Sequence, residues 1–537
     1  MVNKLNGLKV LIKILLLFLF IIVSGCNASI ENSEEAPQKK SIPVILNEVS
    51  IPMLNYKTLN PVVSKDESIY YLNKLIYESL VDLDKSLKAV PLLAEKWEYL
   101  QDGHELILYL QKNVIWHNGS EFSSDDVVFT INTYLNNKQH EPSPYKIFLA
   151  NINKVEKVDE HTVRIIFKNN YDNSIEHFVF PILPEDASSG NIYINTTGFI
   201  PVGTGPYIVE EIEKLKYIKL KGNKQYWGDQ KPLNNLTFKI VPSPEESIGL
   251  LEINDIHIAY SHTTDWGKYK EDKSLSIHEF ISNEVEFIGF NFKNEALSDR
   301  RVRQAICHAI DTEEIIKHIY LGAAAESDSI FYPDYLKESD SNSKNFYNFN
   351  QDKSKELLKE AGYEYRNNNS VLEDINGKEL SINLLVNSEN KNRMDCAKII
   401  KKSLDKIGIF TNIIYVGFDT YTQQINRGDF DLYLGGWHVS HLMDFRFALH
   451  SEYGNSIHYH NDYLNYLLVE LQRNHTDEKK EELLDEIETI IGEDLPYYCL
   501  LYKKYGAVST NELVGEIDPV FFDFYSGAKT WQIIREP

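Results

Sequence analysis

The chain has 537 residues, 43 % of them hydrophobic and 25 % charged, with 26 glycines and 18 prolines. That length and composition support about three domains with a large core, and they exclude disordered, collagenous and low-complexity classes. A formal net charge of −24 argues against a nucleic-acid partner, and the four cysteines, at positions 26, 307, 396 and 499, exclude a disulfide scaffold and lack zinc-site spacing.

The first 26 residues have the three parts of an export signal. Lys4, Lys9 and Lys13 make a basic start without an acid, residues 14–23 are uninterruptedly apolar, and Ser24-Gly25 precede Cys26. Such a run is too short to span ~30 Å of hydrocarbon, which takes about 20 residues. Residues 27–41 carry Ser, Asn, Glu, Pro and Lys and read as a solvated tether reaching up to ~50 Å. No later stretch approaches ~18 uninterrupted apolar residues.

Beyond residue 42, strand-like and helix-like segments alternate without a fixed repeat. Asp102-Gly103 reads as a hairpin turn, and Ser123 or Ser124 as the cap of a helix holding Val127, Ile131, Tyr134 and Leu135. Residues 158–168 and 207–241 look strand-rich, separated by Gly and Pro punctuation at 201–206. Ser298 precedes a helix striped by Val302, Ala305, Ile306, Ala309 and Ile310, and Asp311 with Glu314 has capping-box spacing for the next helix. A helix over 352–361 stops at Gly362. Residues 380–436 give β-α-β-α-β: strand 380–386, a helix through Met394, Ala397, Ile400, Leu404 and Ile407 capped by Gly408, strand 409–416, a short helix 421–427, and strand 430–434 ending at Gly435-Gly436-Trp437. This is an α/β lobe whose strand ends open into a crevice. A further helix covers 477–491 before Gly492. Tyr497, Tyr498, Tyr502 and Tyr505 follow on an aromatic strand, and Cys307, Cys396 and Cys499 are expected as buried free thiols.

Several of these segments match one family in order: Leu92-Leu93-Ala94-Glu95-Lys96-Trp97, Trp116-His117-Asn118-Gly119, Phe122 through Phe129, Gly203-Thr204-Gly205-Pro206-Tyr207, Asn223 with Tyr226-Trp227, Asp299-Arg300-Arg301-Val302-Arg303-Gln304-Ala305-Ile306, Glu360-Ala361-Gly362-Tyr363 and Ile407-Gly408-Ile409. Together they resemble the extracytoplasmic peptide/nickel solute-binding proteins of ABC transporters. Val23-Ser24-Gly25-Cys26 likewise resembles the lipobox of bacterial lipoproteins, which implies cleavage before Cys26, a lipid on its thiol, and anchorage to the extracytoplasmic face of the cell membrane.

The resemblance implies an α/β, two-lobed periplasmic-binding-protein-like fold of type II, with an extra α+β subdomain in the first lobe. Its expected parts are a signal peptide (1–25), a lipidated tether (26–41), a hinge-side lobe (42–75, 201–288 and 506–537), the extra subdomain (76–200) and a second lobe (289–505). The lobes are expected to close over a ligand. The stretch after Gly-Trp then lies at the cleft. Trp437 is expected to wall the pocket or join the core, Asp444 to pair with a peptide ammonium or with Arg446, and Arg446 to grip a ligand carboxylate or serve the loop. Phe445 stands where relatives carry proline, and Asn60-Pro61 where they carry Asp-Pro. His438, His441, His450, His458 and His460 fall close together, which raises a nickel or metallophore ligand as an alternative.

The expected function is capture of oligopeptides for an ABC permease, by a monomer without cofactor or catalytic residues. Peptide sensing without import is a further alternative. A hydrolase is disfavoured because no GxSxG occurs and neither His104-Glu105 nor His278-Glu279 completes HExxH.

Overall fold

The computed structural model describes residues 43–136, 143–185, 198–261, 264–336, 347–367 and 370–535. The export signal, Cys26 and the tether lie outside the described residues. Residues 45–534 form one unit, while the other, residues 1–44 with 535–537, is described only at 43, 44 and 535. Among the described residues no helix is long and apolar enough to cross a membrane.

Three sheets organise the larger unit. In the first, Asn235–Val241 pairs parallel with Glu48–Leu54 and antiparallel with Tyr217–Gly222, which pairs with Tyr207–Glu213. The second is antiparallel throughout, ordered Ala94–Leu100, Glu105–Leu110, Thr162–Phe167, Ile152–Asp159, with Val163, Ile165 and Phe167 turned to the core as their alternation predicts. Helix Ser124–Asn136 packs against it, and Ser123 accepts from the Asp125 N–H. The third sheet runs Ile258–Ser261, Tyr497–Thr510, Leu275–Phe290, Leu432–His438, Ser381–Asn387, Phe410–Val416, with Ala324–Glu326 on the second of these strands. Positions 289 and 505 therefore fall within its two longest strands.

The motifs that carry the resemblance interlock. His117 accepts from the Gly203 N–H (3.2 Å) and bonds the Gly205 carbonyl (2.9 Å). Glu78, 5 % exposed, accepts from Thr204, Tyr226 and Trp227 at 2.7–2.8 Å. These residues tie the antiparallel sheet's segment to the first sheet, a structural duty.

The 380–436 region folds in the predicted order, with the short helix starting three residues earlier, as Phe418–Arg427, and the last strand shifted. Helix Lys391–Lys406 ends at Gly408, where φ is +90°. The last strand does not stop at Gly435 but runs on through Gly436 and Trp437 to His438. The two glycines serve close packing rather than a turn: a Cβ on Gly435 would press on the Phe287 ring (3.0 Å), and one on Gly436 on the Val285 carbonyl (2.6 Å). The cap of helix Arg300–Ala309 is Asp299, one residue after Ser298, accepting from the Arg301 N–H. Helix Asp477–Asp494 runs past Gly492 and stops where Leu495 turns left-handed, because the Pro496 ring disfavours a helical residue before it. Cys307, Cys396 and Cys499 are buried free thiols, as expected.

Candidate functional site

Trp437 is half-buried on an aromatic shelf. Its indole lies 3.9 Å from the Phe287 ring and meets Tyr497 edge-on at 4.8 Å and Phe447 at 5.3 Å. Phe447 leaves 53 % of its surface exposed. The shelf exists because residues 285, 287, 435 and 437 alternate onto one sheet face, and Gly435 leaves room for the Phe287 ring. His438, next along the strand, is exposed and paired in register with Glu284.

On the opposite face lies a closed charge network. The Arg393 Nε and Nη2 bind Glu286 at 2.7 and 3.2 Å in the space that Gly436 leaves, and Lys503 reaches Glu286 at 3.3 Å and Glu284 at 2.6 Å. The Tyr505 hydroxyl also donates to Glu284. Burial works to raise the Glu284 carboxyl, but Lys503 and that hydroxyl outweigh it and hold it below its ordinary value. Burial likewise pulls the Arg393 guanidinium down, and Glu286 more than restores it. Two acids and two bases thus satisfy one another.

Asp444 and Arg446 take each other. The Arg446 Nε and Nη2 hold Asp444 at 2.9 and 2.7 Å, and Nη2 and Nη1 hold Asp172 at 2.6 and 3.3 Å. With both edges of the guanidinium occupied, Arg446 presents no vacant fork to a carboxylate. Asp172 comes from the antiparallel-sheet segment, so the pair also joins distant parts of the chain. The same seam holds His441, whose Nε2 bonds the Glu176 carbonyl at 3.0 Å and whose protonated form burial disfavours, with its pKa pushed down to about 4. The five clustered histidines diverge. His450 accepts from the Glu452 N–H, His460 faces Asp462, and among the described residues no group of three or more His, Cys, Asp or Glu could hold a metal ion. Asn60 is 1 % exposed and turns its own loop by accepting from the Val62 N–H at 2.9 Å.

A cavity of about 350 Å³ opens beyond Tyr505. Five separated segments contribute to its wall, through residues that include Asp66, Glu67, Tyr71, Tyr260, Trp266 and Phe524. Phe524 stacks between Tyr71 (3.9 Å) and Tyr260 (4.9 Å) and reaches Phe280 (5.5 Å), itself edge-on to Tyr505 (5.9 Å). Sequence reasoning missed this site because five separated segments assemble it. The available signal was the aromatic run Phe521-Phe522-Asp523-Phe524-Tyr525 near the chain end.

The aromatic shelf at Trp437 and the cavity walled by Tyr71, Tyr260 and Phe524 are the two candidate binding surfaces of the larger unit. The model of the bacterial extracellular solute-binding proteins, family 5, matches residues 88–456, and the chain belongs to that family. The chain is 28 % identical over 538 aligned positions to the oligopeptide-binding protein AppA of Bacillus subtilis, covering 96 % of this chain and 97 % of that one. It is 28 % identical to heme-binding protein A of Haemophilus influenzae over 67 % of this chain and 68 % of that one. The solved structure of Bacillus subtilis AppA in complex with a nonapeptide superposes with a TM-score of 0.62 at 25 % identity, covering 92 % of this chain and all of the other. The fold is thus the expected type II periplasmic-binding-protein-like fold with its added α+β subdomain.

Proposed function

We propose that the protein is a membrane-anchored extracytoplasmic receptor that binds oligopeptides in an interlobe cleft and delivers them to an ABC permease, held to the membrane by lipid on Cys26. The observation that carries this reading is the end-to-end likeness to an oligopeptide-binding protein. The cleft in this reading is walled by Trp437 and Phe447 on one side and by the 350 Å³ cavity on the other, with His438 at the edge. Asp444 and Arg446 shape the loop beneath. With the charges beside Trp437 already paired, backbone hydrogen bonds and aromatic contact supply most of the affinity on that side, which suits ligands of varied sequence.

The test is mass spectrometry of the natively purified full chain, denatured to release what the cleft retained. A ladder of short peptides is the expected result, and a metal chelate without peptides would overturn the reading in favour of the nickel alternative. Lipidation is tested separately: the wild type is expected to incorporate labelled fatty acid and Cys26→Ser to lose the label, and a wild type without label counts against a lipid at that position.

A further inference from the structure

We propose that a second pocket, on another face of helix Glu67–Ile76, takes the phenol of a tyrosine side chain carried by the ligand, with Asn73 selecting its hydroxyl. That the carrier is a peptide rests on the function proposed above; the preference for a phenol comes from the pocket.

The pocket holds about 260 Å³ and its lining is mostly apolar. Ile69, Tyr70 and Asn73 reach it from the helix, where their spacing puts them on one side of the cylinder. Pro144, Tyr145 and Phe148 reach it from the 3-10 turn Pro144–Leu149, which Ser143 caps by accepting from the Tyr145 N–H. Of the charged side chains on the lining, Lys65 and Glu67 are exposed and Asp66 is half-buried, so none is a deep charge. Asn73 is different: it is 1 % exposed.

Its carboxamide is unused. Among the described residues no donor reaches Oδ1 and no acceptor lies within hydrogen-bond distance of Nδ2. Of the two atoms Oδ1 alone is sealed from water, which leaves Nδ2 as the end that opens to the pocket Asn73 lines. Leaving a buried amide unpaired is costly, and native structures rarely do it without cause. A few fixed polar groups in an apolar lining are what orient a bound ligand. The occupant that fits covers aromatic and proline walls with a ring and ends in a hydrogen-bonding atom. An indole only donates, and Nδ2 is itself a donor; an imidazole brings two polar atoms against apolar walls; a carboxamide has no ring. A phenol hydroxyl both accepts and donates, so it matches Asn73 whichever way the amide is turned.

The experiment offers the full chain, in detergent, an equimolar pool of synthetic alanine-based peptides in matched pairs. One member carries tyrosine where the other carries phenylalanine, and the position is scanned along the peptide. Retained peptides are released by denaturation and counted by mass spectrometry. At the position that reaches the pocket, the tyrosine member is expected to be enriched about tenfold, the size of one hydrogen bond to an otherwise unpaired group. Asn73→Leu keeps the volume and removes the amide, and should lose the enrichment while retaining phenylalanine members as the wild type does. Equal retention of the two members at every position means that water alone serves Asn73 and overturns the proposal, as does enrichment that persists in Asn73→Leu. A wild-type measurement stands beside the variant: a retained peptide carrying 3-azidotyrosine is irradiated, and cross-links are expected on residues 61–73 or 144–148. Cross-links found only elsewhere overturn the assignment. If no peptide is retained at all, the peptide reading fails instead, and the pocket is tested with N-acetyltyrosinamide against N-acetylphenylalaninamide by saturation-transfer NMR. Stronger transfer to the tyrosine ring that Asn73→Leu lacks then supports the phenol subsite, and equal or absent transfer in the wild type overturns it.

Discussion

Glu78 accepts hydrogen bonds from Thr204, Tyr226 and Trp227 and is almost wholly buried. Burial dominates, and pushes its pKa up to about 7 against the opposing pull of those donors. The sign of the consequence follows from linkage. Between the ordinary carboxyl range and about pH 7 the folded protein binds a proton that the unfolded chain has released, so this group's contribution to stability falls as pH rises through that window. Glu78→Gln resembles the protonated form and removes the dependence. Denaturant melts from pH 5 to 8 should show the wild type losing up to about 3 kcal/mol relative to the variant; parallel curves for the two proteins would show that Glu78 titrates normally. Arg446 sits at the same scale with the opposite logic, because its carboxylates leave it charged at every accessible pH. Arg446→Ala strands Asp172 and Asp444 and should cost about 2–3 kcal/mol, below the full penalty of a buried pair because both acids remain partly exposed. An unchanged urea midpoint would place that pair among ion pairs that contribute nothing.

Glycines show what a strand or helix hides from its sequence. Gly435-Gly436 before Trp437 reads as a turn, since paired glycines usually mark one, yet both lie inside the strand Leu432–His438. Their reason is across the sheet: the Phe287 ring packs over one, and the Arg393–Glu286 pair occupies the space over the other. No local pattern carries that information. The helices and strands of residues 380–434 were legible because apolar spacing and the left-handed cap at Gly408 are local signals. The cavity was not, because its wall joins Asp66 to Phe524 across almost the whole chain. Gly436→Ala tests the packing reading. Its Cβ would meet the Val285 carbonyl at 2.6 Å and displace Arg393 from Glu286, an overpacking expected to cost about 1–3 kcal/mol in urea unfolding. A turn glycine at ordinary φ would tolerate alanine, so a wild-type midpoint would restore that interpretation.

At the scale of the whole molecule, one seam joins the segment around the antiparallel sheet to the stretch that follows Trp437. Arg446 binds Asp172, the Asp172 N–H donates to the Gln472 carbonyl, His441 bonds Glu176, Lys480 pairs with Glu176 at 3.5 Å, and Lys88 pairs with Asp477 at 3.5 Å. None of these groups lines the cavity or the Trp437 shelf. If the lobes close on ligand, such a seam belongs to the closed arrangement, and weakening it lowers the population that holds ligand without touching a ligand contact. Lys480→Glu places two acids against each other at the seam, since Glu176 is 14 % exposed and loses the partner that helps hold it ionised. Apparent peptide affinity should fall about three- to tenfold, the value of 0.7–1.4 kcal/mol in closure. Because the open form still admits ligand, the loss should lie in dissociation, with association unchanged in stopped-flow traces. The Lys88→Glu substitution, at a pair more exposed to salt and water, should do the same to a smaller degree and lose its effect at high ionic strength. Equal dissociation rates in wild type and Lys480→Glu would instead mean that the seam persists in the open protein, and that the added subdomain travels with the second lobe as one body.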